Sequence, residues 1–459
     1  MNKNDIAVIM AGGSSMLLKS AYSPVLAKVL GRPMISSVTE AAKLSGIEKV
    51  AVIVPSDDTQ ITPLIKNEFP ESNIDFYEQP TSLGTAHAVL QAEEAIRVAG
   101  NGNVLILNGD TPFIDASTIN LAYIQHTSSE NAVTVISANV SKPFGYGRII
   151  RNENEQFAGI VEEADADSPT KRITEISSGT YWFKADVLLN VLKALSPRAN
   201  GHFNLVDAVS DIIKSGMKAD TFFAPNSDII LGANDRIQLM ELNEYAKMQS
   251  IQYHLTAGVE IPYSDGVVIE KGVKIGTDTC ILPGTIIKGF TRIGKNCVIG
   301  PNSVIDDCII DDNVTLNQTQ CEQCVVKSGA NIGPFVHIRP NSVIGENVHL
   351  GNFVEVKNSN IDTGTKVSHL TYVGDSDVGK RVNFGCGTVT VNYSGKAKYR
   401  TTIGDDVFVG CNTNLVAPVK VGNGAYTAAG STITDDVPED SLGIARARQV
   451  NKIGWKVKK

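Results

Sequence analysis

Cysteine is missing from the first half of this 459-residue chain; the seven that occur, Cys280, Cys297, Cys308, Cys321, Cys324, Cys386 and Cys411, all lie in the second half. An odd count without framework spacing excludes a disulfide scaffold, so reduced thiols are expected. Cys321 and Cys324 form a single C-x-x-C with no second pair and no neighbouring His, which makes corner residues a better reading than a zinc site. Long apolar runs are also missing. None reaches the roughly 18 residues of a membrane helix, and the opening MNKNDIAVIMAGG lacks a cleavable signal pattern and reads straight into a strand. A cytoplasmic protein with no membrane insertion is expected. Positive charge is sparse: 41 Lys and Arg against 49 Asp and Glu give a net charge of -8. With no concentrated basic face, a nucleic-acid partner is excluded, whereas small anionic ligands remain open.

What is present is a period. Ile275, Ile281, Ile287, Ile293, Ile299 and Ile305 fall six apart; Ile332, Ile338, Ile344, Leu350 and Val356 resume the step, and Ile403, Val409, Leu415 and Val421 close it. Six matches neither the 3.6 of a helix nor the 2 of a strand, but suits a coil of three short parallel strands that turns every eighteen residues. The aliphatic residue then points inward, and the small residue after it fits the corner. The step slips at 316–332, 356–367 and 389–403, where a bulge or an extruded loop is expected, and loops on a rigid scaffold collect binding groups. The third slip holds the polar, basic stretch Asn392-Tyr-Ser-Gly-Lys-Ala-Lys-Tyr-Arg400, suited to a phosphate or a neighbouring chain.

The first half reads differently. An aliphatic strand at 5–10 breaks into Ala11-Gly12-Gly13-Ser14-Ser15, and further strands at 49–54, 74–77 and 104–107 alternate with helical stretches at 33–44 and 85–98. Such alternation predicts a mostly parallel, Rossmann-like sheet with ligands beyond the carboxyl ends of its strands. Asn108-Gly109-Asp110 falls at one such end, where Asp110 either holds Mg²⁺ against a polyphosphate or caps a helix before Pro112. Between the halves, 237–254 is free of Gly and Pro and predicts a helix, either a spacer or a cap on the rod. The division expected is 1–232, an α/β domain; 233–254, a linker helix; and 255–459, a rod of parallel coils.

These motifs carry a family resemblance. Met10-Ala-Gly-Gly13, Gly31-Arg-Pro-Met34, Gln79 with Leu83-Gly-Thr-Ala-His87, Asn108-Gly-Asp110, Gly145-Tyr-Gly-Arg148, Val161-Glu-Glu163 and Gly232-Ala-Asn-Asp-Arg236 resemble the bifunctional bacterial enzymes of UDP-N-acetylglucosamine synthesis. In the repeat half, Gly351-Asn-Phe-Val-Glu-Val-Lys-Asn-Ser359 and Val367-Ser-His-Leu-Thr-Tyr372 continue the match. The resemblance implies a nucleotidyltransferase-like domain over 1–232, a uridylyltransferase that joins UTP to N-acetylglucosamine 1-phosphate, and over 255–459 a left-handed parallel β-helix, an acetyltransferase that takes glucosamine 1-phosphate and acetyl-CoA, assembled as a homotrimer.

Carried over residue by residue, the resemblance makes His369 the general base, a role suited to an imidazole that titrates near neutral pH, with Glu355 to orient it. Arg339, Lys357, Tyr372, Asn383 and Asn392 would bind the sugar phosphate; Tyr393, Cys386, Cys411, Ala429 and Arg446 would line the acetyl-CoA channel. In the first half, Gly12, Gly13, Gln79, Gly84, Thr85, Gly147, Glu162 and Ser177 would hold the UDP-sugar, and Asp110 with Asn234 would hold Mg²⁺. The sequence departs from the family pattern where phosphate charge would be met: Leu17 stands at the arginine of the opening loop and Pro24 at the following lysine, with Lys19, Lys28 or Arg32 as substitutes if the loop is rearranged. Ala164, Ser177 and His202 replace a lysine, an asparagine and a glutamate. Lost cations weaken stabilisation of the transition state, so uridylyl transfer is expected to be impaired. The alternatives are a fully bifunctional enzyme and a first half that binds UDP-sugars without turnover.

Overall fold

The computed structural model describes residues 1–13, 23–233 and 235–455. The chain divides into two compact units, Met1–Glu244 and Tyr245–Lys459. Among the described residues no helix is long and apolar enough to cross a membrane.

In the first unit the strands run in the spatial order Ala219–Phe223, Val133–Asn139, Glu175–Lys184, Asn103–Asn108, Ile6–Met10, Lys49–Pro55 and Asn73–Gln79. Glu175–Lys184 is antiparallel to both its neighbours; the other pairings along this path are parallel. Ile6–Met10 is buried on both faces, as expected for a strand covered by helices on either side. The chain leaves this strand toward Lys49–Pro55 on one side and returns to Asn103–Asn108 on the other. The two connections diverge there and open a crevice beyond the carboxyl ends of the two strands. The helical stretch expected at 85–98 is two helices, Thr85–Leu90 and Glu93–Ala99. The capping alternative for Asp110 fails, because the following helix Ala116–Ser128 is capped by Asp115, whose carboxylate accepts from the Thr118 backbone N–H at 2.8 Å.

His126 sits at the end of that helix, 1% exposed, with Nδ1 2.9 Å from the Thr134 hydroxyl and Nε2 unpartnered. Burial, then the charge of Lys184, pushes its pKa down from 6.5 to about 4, against a smaller opposing effect of Asp5. The unfolded chain therefore binds a proton at a higher pH than the folded one. Stability from this site is complete above pH 6.5 and is lost as pH falls toward 4, by at most on the order of 3 kcal/mol. Thermal melts between pH 7 and pH 5 should show this slope, and His126→Gln should flatten it; equal slopes in both proteins would refute the assignment.

The second unit begins within the helix Arg236–Thr256, which spans the helix expected at 237–254. Ser250 donates to the Ile269 carbonyl at 2.8 Å and Ile251 joins the rod's core cluster, so this end of the helix covers the first coil. From Val268–Ile269 onward, parallel strands stack in columns, mostly two or three residues long, with nine-residue strands at His349–Lys357 and Lys366–Gly374; one column of nine strands runs from Lys274–Ile275 to Val419–Val421. The six-step aliphatic residues pair with their equivalents one coil on, as Ile281 with Ile299 and Ile287 with Ile305, and nearly all are buried. The corners take left-handed backbone angles, mostly at Asn, Asp and Gly: Asn302 has φ 52°, Asn313 60° and Asn347 55°.

Only one of the three slips extrudes a loop. Leu316 pairs with Ile332 and Val356 with Val373, so the first two slips are coils tightened by one or two residues at a corner, which corrects the expected bulges. At the third, Val378 pairs with Ile403, and the surplus residues leave the wall as a hairpin in which Tyr393 bridges Lys398. Arg400 fixes its foot by pairing with Asp377 at 2.7 Å and donating to the carbonyls of Asn358 and Ser376.

Candidate active sites

The crevice of the first unit holds two adjoining cavities of about 230 and 300 Å³ that share Met10, Thr85, Asn108 and Asp110. Gly12, Gly13, Gln79 and Gly84 line one; Gly147, Glu162 and Ser177 line the other. Every expected UDP-sugar residue thus reaches the same crevice, although they come from six separate stretches of sequence. Gly12 lies against Gln79, whose carboxamide a Cβ on Gly12 would push aside. That carboxamide is buried and reaches the Gly84 carbonyl at 3.4 Å and His87 Nδ1 at 3.1 Å. The Thr85 hydroxyl accepts from the Leu205 N–H at 2.9 Å, tying the floor to the next helix.

Asp110 is the one ionisable group shared by both cavities. Burial pushes its carboxyl up, and among the described residues it has no ion-pair partner. A buried carboxylate without a protein cation is satisfied well by a hard divalent cation with oxygen ligands, so the residue fits Mg²⁺. Its expected partner, Asn234, lies outside the described residues, as do Ser15, Leu17 and Lys19. Among the described lining residues of the two cavities there is no Lys or Arg, and Pro24 forms part of the wall. Arg32 is engaged elsewhere, 2.7 Å from Glu40 and 3.7 Å from Glu68, and Lys28 is exposed on a short hairpin strand.

On the sugar side, Glu162 is raised by burial, with Arg198 opposing. Sequence reasoning missed the clamp beneath it. Arg148, 1% exposed, holds Glu163 at 2.6 Å and donates to the Tyr146 carbonyl, while Glu163 accepts from the Gly145 N–H. This fixes the turn that presents Gly147, whose carbonyl accepts from the Ser177 N–H at 2.8 Å. The Gly-Tyr-Gly-Arg spacing was visible, but the partner of Arg148 was not.

In the rod, coil register decides which groups meet. His369 is the partner of Asn352. The pairings of Lys366 with Asn383 and Tyr372 with Val389 set His369 beside Cys386. Those of Asn383 with Phe408 and Val389 with Asn414 set Cys386 beside Cys411, and those of Phe408 with Tyr426 and Asn414 with Thr432 set Cys411 beside Ala429. A Cβ on Gly430 would touch Arg446 Cδ at 3.8 Å. His369, Cys386, Cys411 and Ala429 thus form one exposed column along a corner, and Arg446 stands at its end.

Around that corner the sugar-phosphate candidates divide. Arg339, Lys357, Tyr372 and Asn392 gather on one face: Asn392 donates to the Tyr372 hydroxyl at 3.3 Å and to buried Asp375. Asn383 lies before the corner, on the strand paired with Lys366, away from that cluster. Glu355, expected to orient His369, has a different partner. It is level with Tyr372 and pairs with Arg339 at 2.8 Å, so it orients a cation instead. Among the described residues the His369 ring has no hydrogen-bond partner. Lys398, on the hairpin, was not singled out from sequence. It stands against Lys357 and is the main cause of that lysine's lowered pKa. Two ammonium groups held together beside Arg339 create a strong demand for an anion. Tyr393 turns its hydroxyl to the Gly395 carbonyl at 2.8 Å within the same hairpin. The C-x-x-C is buried: Cys324 Sγ lies 3.5 Å from Cys308 Sγ in the core, and no group of metal ligands occurs among the described residues.

Comparison with known proteins agrees with both halves. The nucleotidyl transferase family model matches residues 6–229, and the bacterial transferase hexapeptide (six repeats) model matches 323–358 and 400–435. The chain is 46% identical to the bifunctional protein GlmU of Caldanaerobacter subterraneus over 98% of this chain and 97% of that one. It is 44% identical to that of Thermoanaerobacter pseudethanolicus over the same shares, and 42% identical to that of Geobacillus over 97% and 96%.

Proposed function

Since the chain belongs to the family of bifunctional GlmU proteins, we propose that it is an enzyme with both transfers: acetyl-CoA-dependent acetylation of glucosamine 1-phosphate on the rod, and uridylyl transfer from UTP to N-acetylglucosamine 1-phosphate in the crevice. The similarity, unbroken across both halves, favours this alternative over the impaired first half expected from Leu17 and Pro24, even though the described walls of the crevice hold no Lys or Arg.

For acetyl transfer, the column from His369 to Arg446 carries the reading. His369 takes a proton from the substrate ammonium, the freed nitrogen attacks the thioester carbonyl, and the thiol of coenzyme A leaves. Cys386, Cys411, Ala429, Arg446 and Tyr393 would hold acetyl-CoA, while Arg339, Lys357 and Lys398 would hold the sugar phosphate. Asn383 sits around the corner from these, and Phe335, Phe353 and Leu370 stand exposed in the adjoining column with left-handed φ of 60°, 58° and 39°. Both observations support sites shared between rods in a homotrimer, since exposed apolar columns are covered in assemblies.

For uridylyl transfer, Gln79, Gly84 and Thr85 meet the base, Gly12 and Gly13 approach the phosphates, and Gly147, Glu162 and Ser177 meet the sugar. Asp110, with Asn234, holds Mg²⁺, which supplies charge neutralisation at the phosphates. A phosphate oxygen of the sugar attacks the α-phosphorus of UTP and pyrophosphate leaves.

Assaying thiol release and pyrophosphate release separately tests each half, and absence of either product refutes that half. Lys398→Ala is expected to raise the KM for glucosamine 1-phosphate by about tenfold with little change in kcat, the loss of one charge-assisted contact. An unchanged KM would remove Lys398 from the site.

A further inference from the structure

Five of the seven cysteines are buried or half-buried in the rod; only Cys386 and Cys411 are exposed. They are neighbours across one coil step, as the flanking pairs Asn383 with Phe408 and Val389 with Asn414 require. Both occupy the same place in the turn. Each follows a glycine, Gly385 and Gly410, and each precedes a residue in the left-handed region, Gly387 at φ 76° and Asn412 at φ 54°. Identical turns point their side chains the same way, and the Asn412 N–H donates to the Cys386 carbonyl at 2.7 Å, so the two turns are stacked directly. Neighbouring parallel strands lie about 4.8 Å apart, inside the roughly 4.4–6.8 Å between Cα atoms that a disulfide bridges, and a small rotation at the two turns has to bring the Cβ atoms within about 4.5 Å.

Cys308 and Cys324, also one coil apart but facing the core, have their Sγ atoms 3.5 Å from each other. That pair is closed to solvent, with exposures of 0% and 3%, and both thiols are pushed up, Cys308 chiefly by its contact with Cys324. A buried thiol with little thiolate character is inert, whereas an exposed one is open to exchange.

We infer that Cys386 and Cys411 form a surface dithiol that closes reversibly to a disulfide by exchange with a low-molecular-weight disulfide, and that closure shuts the acetyl-CoA column. The thiolate of one cysteine attacks the small disulfide, forming a mixed disulfide and releasing one small thiol. The second cysteine's thiolate attacks the bound sulfur and releases the other. Two protein thiols are oxidised, one small disulfide is reduced to two thiols, and both protein protons end on the leaving thiols. The bridge lies in the column between His369 and Ala429, so it replaces two side chains that the cofactor would contact. This consequence rests on the proposed acetyl-CoA site; the bridge itself does not.

The test uses the full chain, with glutathione disulfide as oxidant and dithiothreitol as reductant. The expected result is a protein lighter by two hydrogens with no glutathione adduct, a proteolytic fragment joining 386 to 411, and acetyl transfer lost in step with the bridge and regained on reduction. Uridylyl transfer measured on the same samples should not change. Cys411→Ser should instead trap a glutathione adduct on Cys386, because the resolving thiol is gone. A stable adduct on the unaltered chain, or oxidation at Cys308 and Cys324 first, overturns the dithiol. A bridge that leaves acetyl transfer intact overturns the closure. If untreated protein has no acetyl transfer at all, the functional reading fails, while the mass measurement still decides the bridge.

Discussion

Replacing His369 with alanine is expected to lower acetyl transfer by about 10²–10⁴-fold, the range for removing a positioned general base. The substrate amine is an ammonium at neutral pH and cannot attack a thioester until it loses a proton. His369 is the titratable group at the head of the column that ends at Arg446, on the corner next to the Arg339, Lys357 and Lys398 cluster. The residue is exposed and its partners across the coils are set by backbone pairing, so the loss should leave the rod folded and the KM for acetyl-CoA nearly unchanged. Activity within a few-fold of the unaltered enzyme would mean that another group takes the proton.

Asp110→Asn should produce the complementary result: uridylyl transfer down by about 10²–10³-fold, the scale of losing one electrostatic contact to developing charge, with acetyl transfer untouched. Asparagine has nearly the same shape but no charge, so the change at this half-buried position removes attraction for Mg²⁺ without opening a cavity. The variant should need more Mg²⁺ to reach half of its maximal rate. Raised thermal stability is also expected, because a carboxylate whose pKa is pushed up by burial destabilises the folded chain when ionised. An unchanged Mg²⁺ requirement would remove Asp110 from the metal site. Because the two substitutions sit in separate units, each serves as the control for the other.

Particular residues show how far the sequence could be read. The six-residue step revealed the rod because inward positions in stacked coils recur at a fixed count, which is local information. The Asn108-Gly-Asp110 stretch pointed to the crevice for a similar reason: a glycine and an acid just past an aliphatic strand leave few other roles. Glu355 was misread because its distance in sequence from His369 says nothing of register. The backbone sets it level with Tyr372, three residues along from the imidazole, where Arg339 takes it. Lys398 was passed over because nothing in the hairpin's own sequence says which coil it folds back upon. Leu17 and Pro24 were weighed as losses of catalytic charge; Pro24 does line the crevice and Leu17 lies outside the described residues, and it is the likeness to bifunctional relatives over both halves that favours the alternative.

Composition, the six-residue step and the strand–helix alternation by themselves determined an α/β half and a half of coiled parallel strands, while the resemblance of the motifs supplied the nucleotidyltransferase reading and most of the candidate site residues. Only the tertiary structure decided which of these stand together: Gly12 against Gln79, Lys357 against Lys398, and His369, Cys386 and Cys411 in one column. The reason is physical. A repeat is written by burial at each step along the chain, whereas neighbours across coils are fixed by the number of residues each turn takes up, and that number varies with every tightened corner and extruded hairpin.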